Sequence, residues 1–141
     1  MCGEVRYRVT EEPLTLYACH CTDCQTRSGS AFGLSMWVNR AAIEITEGQA
    51  ELHVRTIGGK VRKRRICAQC GTNLFSEPRE GSTSAIVRPG TLDDTSWLHP
   101  VAHIWTRSAQ PWVVFPAGTK RYQQQPADFA ELVALWRDRS R

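Results

Sequence analysis

Six cysteines crowd into three short stretches of this 141-residue chain. Cys2 stands near the start, Cys19, Cys21 and Cys24 fall within six residues, and Cys67 and Cys70 within four. In a short secreted chain six thiols would read as three disulfides. The opening Met1-Cys2-Gly3-Glu4-Val5-Arg6 has no charged head, apolar run and small-residue cleavage site, so no export signal is expected. No stretch comes near the ~18–20 uncharged apolar residues of a membrane span. The expected setting is the cytoplasm, without membrane attachment, where thiols stay reduced and close spacing favours metal over disulfide. A chain of this length buries roughly 68–70% of its unfolded surface, so it has no need of cysteines merely to build a core.

The spacings suggest how the sulfurs converge. In an extended Cys19-His20-Cys21 segment, residues two apart share a face, so both sulfurs aim at one point while His20 turns away. A turn through Thr22-Asp23 brings Cys24 back to that point. Three thiolates and one open position are the layout of a catalytic zinc site. The second cluster, Cys67-Ala68-Gln69-Cys70-Gly71, has the spacing of a zinc knuckle, with Gly71 free to turn so that backbone amides face the sulfurs. Two partitions are open on spacing alone. Cys21, Cys24, Cys67 and Cys70 can form one four-cysteine ribbon across 42 intervening residues, leaving Cys2 and Cys19 spare. Alternatively Cys19, Cys21 and Cys24 hold one ion, and Cys2, Cys67 and Cys70 another.

The rest of the chain predicts a mainly β fold, a small single-domain zinc-bound β-sheet structure with short hairpins and one C-terminal helix. Glu4–Val9 alternates, with Val5, Tyr7 and Val9 on one side and Arg6 and Arg8 on the other. Phe32–Val38, Ile43–Thr46, Ser84–Arg88 and Val101–Thr106 are further candidate strands. Glu51–Thr56 and Lys60–Ile66 flank Gly58-Gly59, the signature of a tight hairpin. In 126–139, Phe129, Leu132, Val133 and Trp136 fall at helical spacing, and Pro126 suits a first turn. One domain, 1–141, is expected.

The net charge is +4, and fifteen of the 18 basic residues are arginine, the better residue for forked contacts to carboxylate or phosphate. The run Lys60-Val61-Arg62-Lys63-Arg64-Arg65 reads first as a solvated strand face, then as a receiver of carboxylates, then of phosphates. Arg27, three residues past Cys24, is the best-placed cation for the first cluster, and Ser28-Gly29-Ser30 can present hydroxyls and amides to a ligand. His20 and His103 are candidates to move protons or to be satisfied internal histidines. Trp37, Trp97, Trp105, Trp112 and Trp136 sit among apolar residues and read as core.

Taken together, Cys2-Gly3-Glu4-Val5-Arg6-Tyr7, Cys19-His20-Cys21-Thr22-Asp23-Cys24-Gln25, Ser28-Gly29-Ser30-Ala31-Phe32 and Cys67-Ala68-Gln69-Cys70-Gly71-Thr72 resemble the glutathione-dependent formaldehyde-activating enzyme family, which includes the centromere protein V group. Gly90-Thr91-Leu92-Asp93-Asp94, His103-Ile104-Trp105 and Pro111-Trp112 are similar to its later blocks. The resemblance implies a small β fold with two zinc ions. It implies that Cys19, Cys21 and Cys24 hold the catalytic one and that Cys2, Cys67 and Cys70 are three of four ligands to the structural one. The family's fourth, two positions ahead of Cys2, would lie before Met1. It implies glutathione as the thiol substrate and interconversion of S-(hydroxymethyl)glutathione with glutathione and formaldehyde, a carbon–sulfur lyase reaction.

The donor set agrees. Zinc held by three thiolates carries a formal charge of −1 and is a weaker Lewis acid than zinc held by three imidazoles, whose bound water titrates near ~7. Such a site suits a soft ligand, and a substrate thiol would bind there as its thiolate. A fourth thiolate brings the charge to −2, which calls for a nearby cation such as Arg27. Rival readings are a lyase acting on a different thiol adduct, and a zinc-stabilised module contacting protein or nucleic acid. Nucleic acid is the less favoured partner.

Overall fold

The computed structural model describes residues 1–139. Among them are ten strands and two α-helices: β1 Arg6–Val9, β2 Thr15–Cys19, α1 Thr22–Ser28, β3 Gly33–Asn39, β4 Ile43–Glu47, β5 Ala50–Ile57, β6 Lys60–Cys67, β7 Asn73–Ser76, β8 Ser84–Val87, β9 Ala102–Ile104, β10 Lys120–Arg121 and α2 Ala130–Asp138. The fold is mainly β, as the patterning predicts. The chain packs as two compact units, each drawn from two stretches: Met1–Pro13 with Trp37–Asp93, and Leu14–Met36 with Asp94–Arg141.

In the first unit β1 pairs antiparallel with β4, and Tyr7 and Val9 stand opposite Ile45 and Ile43. Their alternation is the period-2 pattern of a half-buried strand, with Tyr7 and Val9 partly covered and Arg6 and Arg8 exposed. β5 and β6 form the expected hairpin, in register from Ala50↔Cys67 to Ile57↔Lys60. Gly58 and Gly59 both have positive φ, 56° and 72°, as a two-residue turn matched to strand twist requires. β7 pairs antiparallel with β6 through Arg65↔Phe75, and with β8 through Phe75↔Val87. Phe75 and Val87 are wholly buried. Tyr7 packs a tilted ring against Phe75 at 6.3 Å, and the Arg40 guanidinium lies 5.1 Å from the centre of the Phe75 ring.

A shared carboxylate ties this unit together. Glu77 accepts from Arg40 Nε and from Arg65 Nε, both at 2.6 Å. Burial opposes its ionisation, but the two guanidinium hydrogen bonds and their charges outweigh burial and hold the carboxyl below its ordinary 4.5. A second constraint is steric. Gly48, between β4 and β5, has φ +66°, and a Cβ there would sit 2.1 Å from the Glu4 carbonyl oxygen. Only glycine lets that turn lie against the segment just after Cys2.

In the second unit β2 is parallel to β9, with Ala18 opposite His103 and Cys19 opposite Ile104, and β9 is parallel to β10. β3 is the other neighbour of β2. All five residues of β2 are buried. Thr15 satisfies its hydroxyl by donating to the Leu132 carbonyl of α2 at 2.8 Å. α2 buries Leu132 and Trp136. It begins at Ala130 rather than at Pro126: Phe129 is its N-cap, the Asp128 carboxylate just ahead of it accepts the Ala130 amide at 2.8 Å, and Pro126 lies outside it. Trp136 is core, as expected, but Trp112 and Trp97 are not: they are 71% and 39% exposed.

Glu77→Gln should lower stability by about 1.5–3 kcal/mol, since both charge-assisted bonds weaken. The native carboxyl has a depressed folded pKa, so its contribution is present above pH 4.5 and is lost as pH falls through the folded value; the variant should lack that limb of a stability–pH curve measured by urea unfolding. Gly48→Ala forces a left-handed backbone on a Cβ that meets Glu4, and should cost at least 1–3 kcal/mol, read as a lowered melting temperature.

Candidate metal centre

The first cysteine set is built where β2 hands over to α1. Cys19 is the last residue of β2, Cys21 is the N-cap of α1, and Cys24 sits on its first turn. The turn predicted through Thr22-Asp23 is therefore the opening of a helix. The Cys21 carbonyl accepts from the Cys24 and Gln25 amides at 2.9 and 3.0 Å. Asp23 in the first turn and Arg27 in the last complement the helix dipole. Gly29, at φ 61°, closes the helix in the left-handed region. The three sulfurs lie within 4.8 Å of one another. Cys19 and Cys24 are buried and Cys21 is half-buried.

Arg27 Nη2 donates to Cys24 Sγ at 3.2 Å, across the i to i+3 spacing of the helix. The Cys19 thiol's hydrogen bond and the Arg27 charge hold Cys24 down to about 5, against burial. Cys19 itself is pushed up, by giving that bond to Cys24 and by burial. The set thus places its negative charge at the sulfur beside the guanidinium. Ser28 donates to the Cys24 carbonyl at 2.9 Å and to the Phe32 carbonyl at 3.1 Å, so its hydroxyl knots the helix end to the following loop.

The sequence did not show what holds Cys19 and Cys21 in place. His20, between them, is fully buried. Its amide donates to the Ile104 carbonyl at 3.0 Å, and its own carbonyl accepts from Gln25 Nε2 at 2.8 Å and Ser108 Oγ at 3.0 Å. Its ring packs on Phe32 and Phe115, and its Nε2 meets His103 Nδ1 at 2.9 Å. Burial, with the His103 charge adding, lowers His20 to about 4, and burial with Arg121 lowers His103, so both rings are neutral at pH 7 and share one N–H. Among the described residues the buried His20 Nδ1 has no hydrogen-bond partner. His20 and His103 meet because Ala18 stands opposite His103 in the β2–β9 register, a pairing that no local sequence signal carries.

The second set, in the other unit, joins Cys2 to Cys67, at the end of β6, and Cys70, in the turn beyond it. The Gly71 amide donates to the Cys67 carbonyl at 2.8 Å, and Gly71 takes φ 70°, as the knuckle spacing predicts. Cys2 and Cys67 sulfurs are 3.5 Å apart. Hydrogen bonds from Thr72, through hydroxyl and amide, lower Cys70 to about 6. Cys2 is exposed and Cys70 half-buried.

The sulfurs thus group as Cys19, Cys21, Cys24 and as Cys2, Cys67, Cys70, the second of the two partitions. Among the described residues no histidine or carboxylate joins either set. With metal–sulfur bonds of ~2.3 Å, sulfurs on one tetrahedral zinc stand roughly 3.8 Å apart, and both sets, spread within 4.8 Å, fit that requirement. Three thiols converging beside a guanidinium or amide donors are a soft donor set, suited to zinc.

A mainly β protein with two three-cysteine sites, each able to hold a metal ion, is the class that fold and geometry define. The chain belongs to the glutathione-dependent formaldehyde-activating enzyme family, whose model matches residues 1–108. Its fold is similar to that of a Rhodobacter sphaeroides protein from structural genomics, a crystal structure 18% identical in sequence, with a TM-score of 0.52, over 86% of this chain and 94% of that one. No curated protein matches the chain. No helix among the described residues is long and apolar enough to cross a membrane.

His103→Leu would leave both nitrogens of buried His20 unpaired. It should lower the melting temperature by the equivalent of about 1–3 kcal/mol, whereas the same change at exposed His99 should leave it nearly unmoved.

Proposed function

We propose that this chain is a zinc-dependent carbon–sulfur lyase that interconverts S-(hydroxymethyl)glutathione with glutathione and formaldehyde, with Cys19, Cys21 and Cys24 as the catalytic metal ligands and Cys2, Cys67 and Cys70 as ligands to a structural ion. The observation that carries this reading is the buried three-sulfur set with Arg27 on one of its members, in a chain of this family. Zinc at that set supplies a soft Lewis-acid position that favours the thiolate form of a fourth sulfur.

The rest is work for the protein's own groups. In the lyase direction the carbon–sulfur bond breaks with its electron pair left on sulfur, the carbon–oxygen bond becomes a carbonyl, and the hydroxyl proton leaves to solvent. In the reverse direction the thiolate adds to the aldehyde carbon and the new alkoxide takes that proton back. Three thiolates and an incoming one would concentrate negative charge, and the Arg27 guanidinium offsets it at Cys24. Ser28 and Gly29, which follow Arg27 at the end of α1, are assigned to the substrate side of the site by their place in the sequence, with the Ser28 hydroxyl and the Gly29 amide engaged on backbone carbonyls. The His20–His103 pair fixes the Cys19 and Cys21 backbone in the geometry that receives the ion. The two units make one functional domain, and the cytoplasm, rich in reduced thiol, is its setting.

The test is Cys21→Ala. It should leave a folded protein by circular dichroism, lower zinc by about one equivalent per chain in elemental analysis, and abolish turnover of glutathione with formaldehyde. A variant that keeps its full zinc complement, or keeps turnover, removes these residues from the catalytic role. One that loses its fold makes the first set structural.

A further inference from the structure

β5 is the last strand of its sheet, with β6 as its one neighbour. Its ladder to β6 runs without a bulge from Ala50↔Cys67 to Ile57↔Lys60. The residues flanking a two-residue turn exchange their backbone bonds, so Ile57, and with it Arg55, His53 and Glu51, are engaged on β6. Lys63 shows the same alternation: it stands opposite Val54, and its carbonyl accepts from the Glu77 amide on the side away from β5. Leu52, Val54 and Thr56 therefore turn amide and carbonyl outward, and among the described residues no backbone group meets them.

Sheet edges are ordinarily blunted by shortness, proline, bulges or charge. β5 has eight residues, no proline and no bulge. Leu52 and Val54 on it are 44% and 50% exposed. Its charged residues are Glu51 and Arg55, one of each sign. Both are exposed, and among the described residues neither takes part in an ion pair.

That edge is complementary to itself. Only even-numbered residues present outward groups, so a second β5 laid antiparallel pairs even residues with even ones. In the register with His53 on the two-fold axis, Leu52 stands opposite Val54 of the second copy and Glu51 opposite its Arg55. Symmetry makes each contact twice. The Leu52–Val54 pairs fall at hydrogen-bonded positions. The Glu51–Arg55 pairs fall at non-hydrogen-bonded positions, where facing side chains come closer and opposite charges stabilise. A shift of two residues either way loses both charge pairs, and a shift of four sets Arg55 against Arg55 or Glu51 against Glu51. The basic residues of β6 would lie three strand spacings from their counterparts, about 14 Å, farther than the ~8 Å Debye length at physiological salt. Charge thus selects one register, and the occupant it fits is a second copy of this chain.

We propose that two copies of the chain associate edge to edge through β5, antiparallel about His53, with Glu51 of each copy paired to Arg55 of the other. The proposal is independent of the metal sites and of the lyase reading. One strand per copy is an interface below ~1,200 Å², the class of weak and reversible association, so a midpoint on the order of 10–100 μM is expected by sedimentation velocity. Glu51→Arg alone and Arg55→Glu alone each set like charges opposite one another twice, and each should raise the dissociation constant about tenfold or more. Mixed in equal amounts, these two variants restore both attractive pairs and should associate within about threefold of the unaltered protein. Glu80→Arg makes the same charge change at an exposed site off the strand and should shift association by about twofold or less. Amide hydrogen exchange gives a second reading: Leu52, Val54 and Thr56 should gain protection as concentration rises, while Glu51, His53 and Arg55 are already protected by β6. A protein that stays monomeric to about 500 μM, well above the range of weak specific interfaces, would overturn the proposal. So would a variant mixture that fails to associate, equal weakening by Glu80→Arg, or association that leaves the three outward amides unprotected.

Discussion

Three sulfurs can be brought within 4.8 Å only if the backbone between them is held still, and here one peptide does the holding. Cys19 and Cys21 flank His20, whose amide donates to the Ile104 carbonyl and whose carbonyl accepts from Gln25 and Ser108. The ring adds a fourth anchor through His103 and sits between two phenylalanines. β2 delivers Cys19 from a fully buried strand, and Cys21 begins the helix that carries Cys24 and Arg27. Loss of any of these anchors frees a rotation that spreads the sulfurs, so the packing of β2, β9 and α1 is the precondition for the site rather than its surroundings.

The two cysteine sets solve one electrostatic problem by different means. Clustered thiolates repel one another and need donors or cations close by. The buried set has a guanidinium on Cys24, a full charge in a water-poor place. The more exposed set has neutral donors, the hydroxyl and amide of Thr72 on Cys70 and the Glu4 amide on Cys2, with Cys2 exposed to solvent. A set with a cation beside it can accept a further anion more readily than one supported by dipoles, because the added charge meets a partner instead of only its own kind. This asymmetry supports giving the chemistry to Cys19, Cys21 and Cys24.

Much of this was legible in the sequence, where a local pattern carried it. Cysteine spacing narrowed the sulfur grouping to two partitions, Gly58-Gly59 marked the hairpin, and alternation marked β1 and its buried side. Arg27 was picked from its distance to Cys24, which becomes one helical turn. What was missed depends on distant partners. β2 has no alternation because both its faces are covered, and a five-residue buried strand looks like any short apolar run. β10 has two residues and exists through β9 alone. The His20–His103 bond is set by the parallel β2–β9 register across 83 residues, and the exposure of Trp112 by the absence of a neighbour to cover it, neither of which composition can state.

The histidine pair also fixes where positive charge is found. Two imidazoles near a thiolate cluster would ordinarily offer protons and change the site's charge through neutral pH. Here burial keeps His20 at about 4 and lowers His103 with it, so at neutral pH neither ring contributes a charge. Among the described residues, the cation hydrogen-bonded to Cys24 is Arg27. The neutral, bonded histidine between Cys19 and Cys21 thus bears on the sulfurs through geometry, and Arg27 through charge.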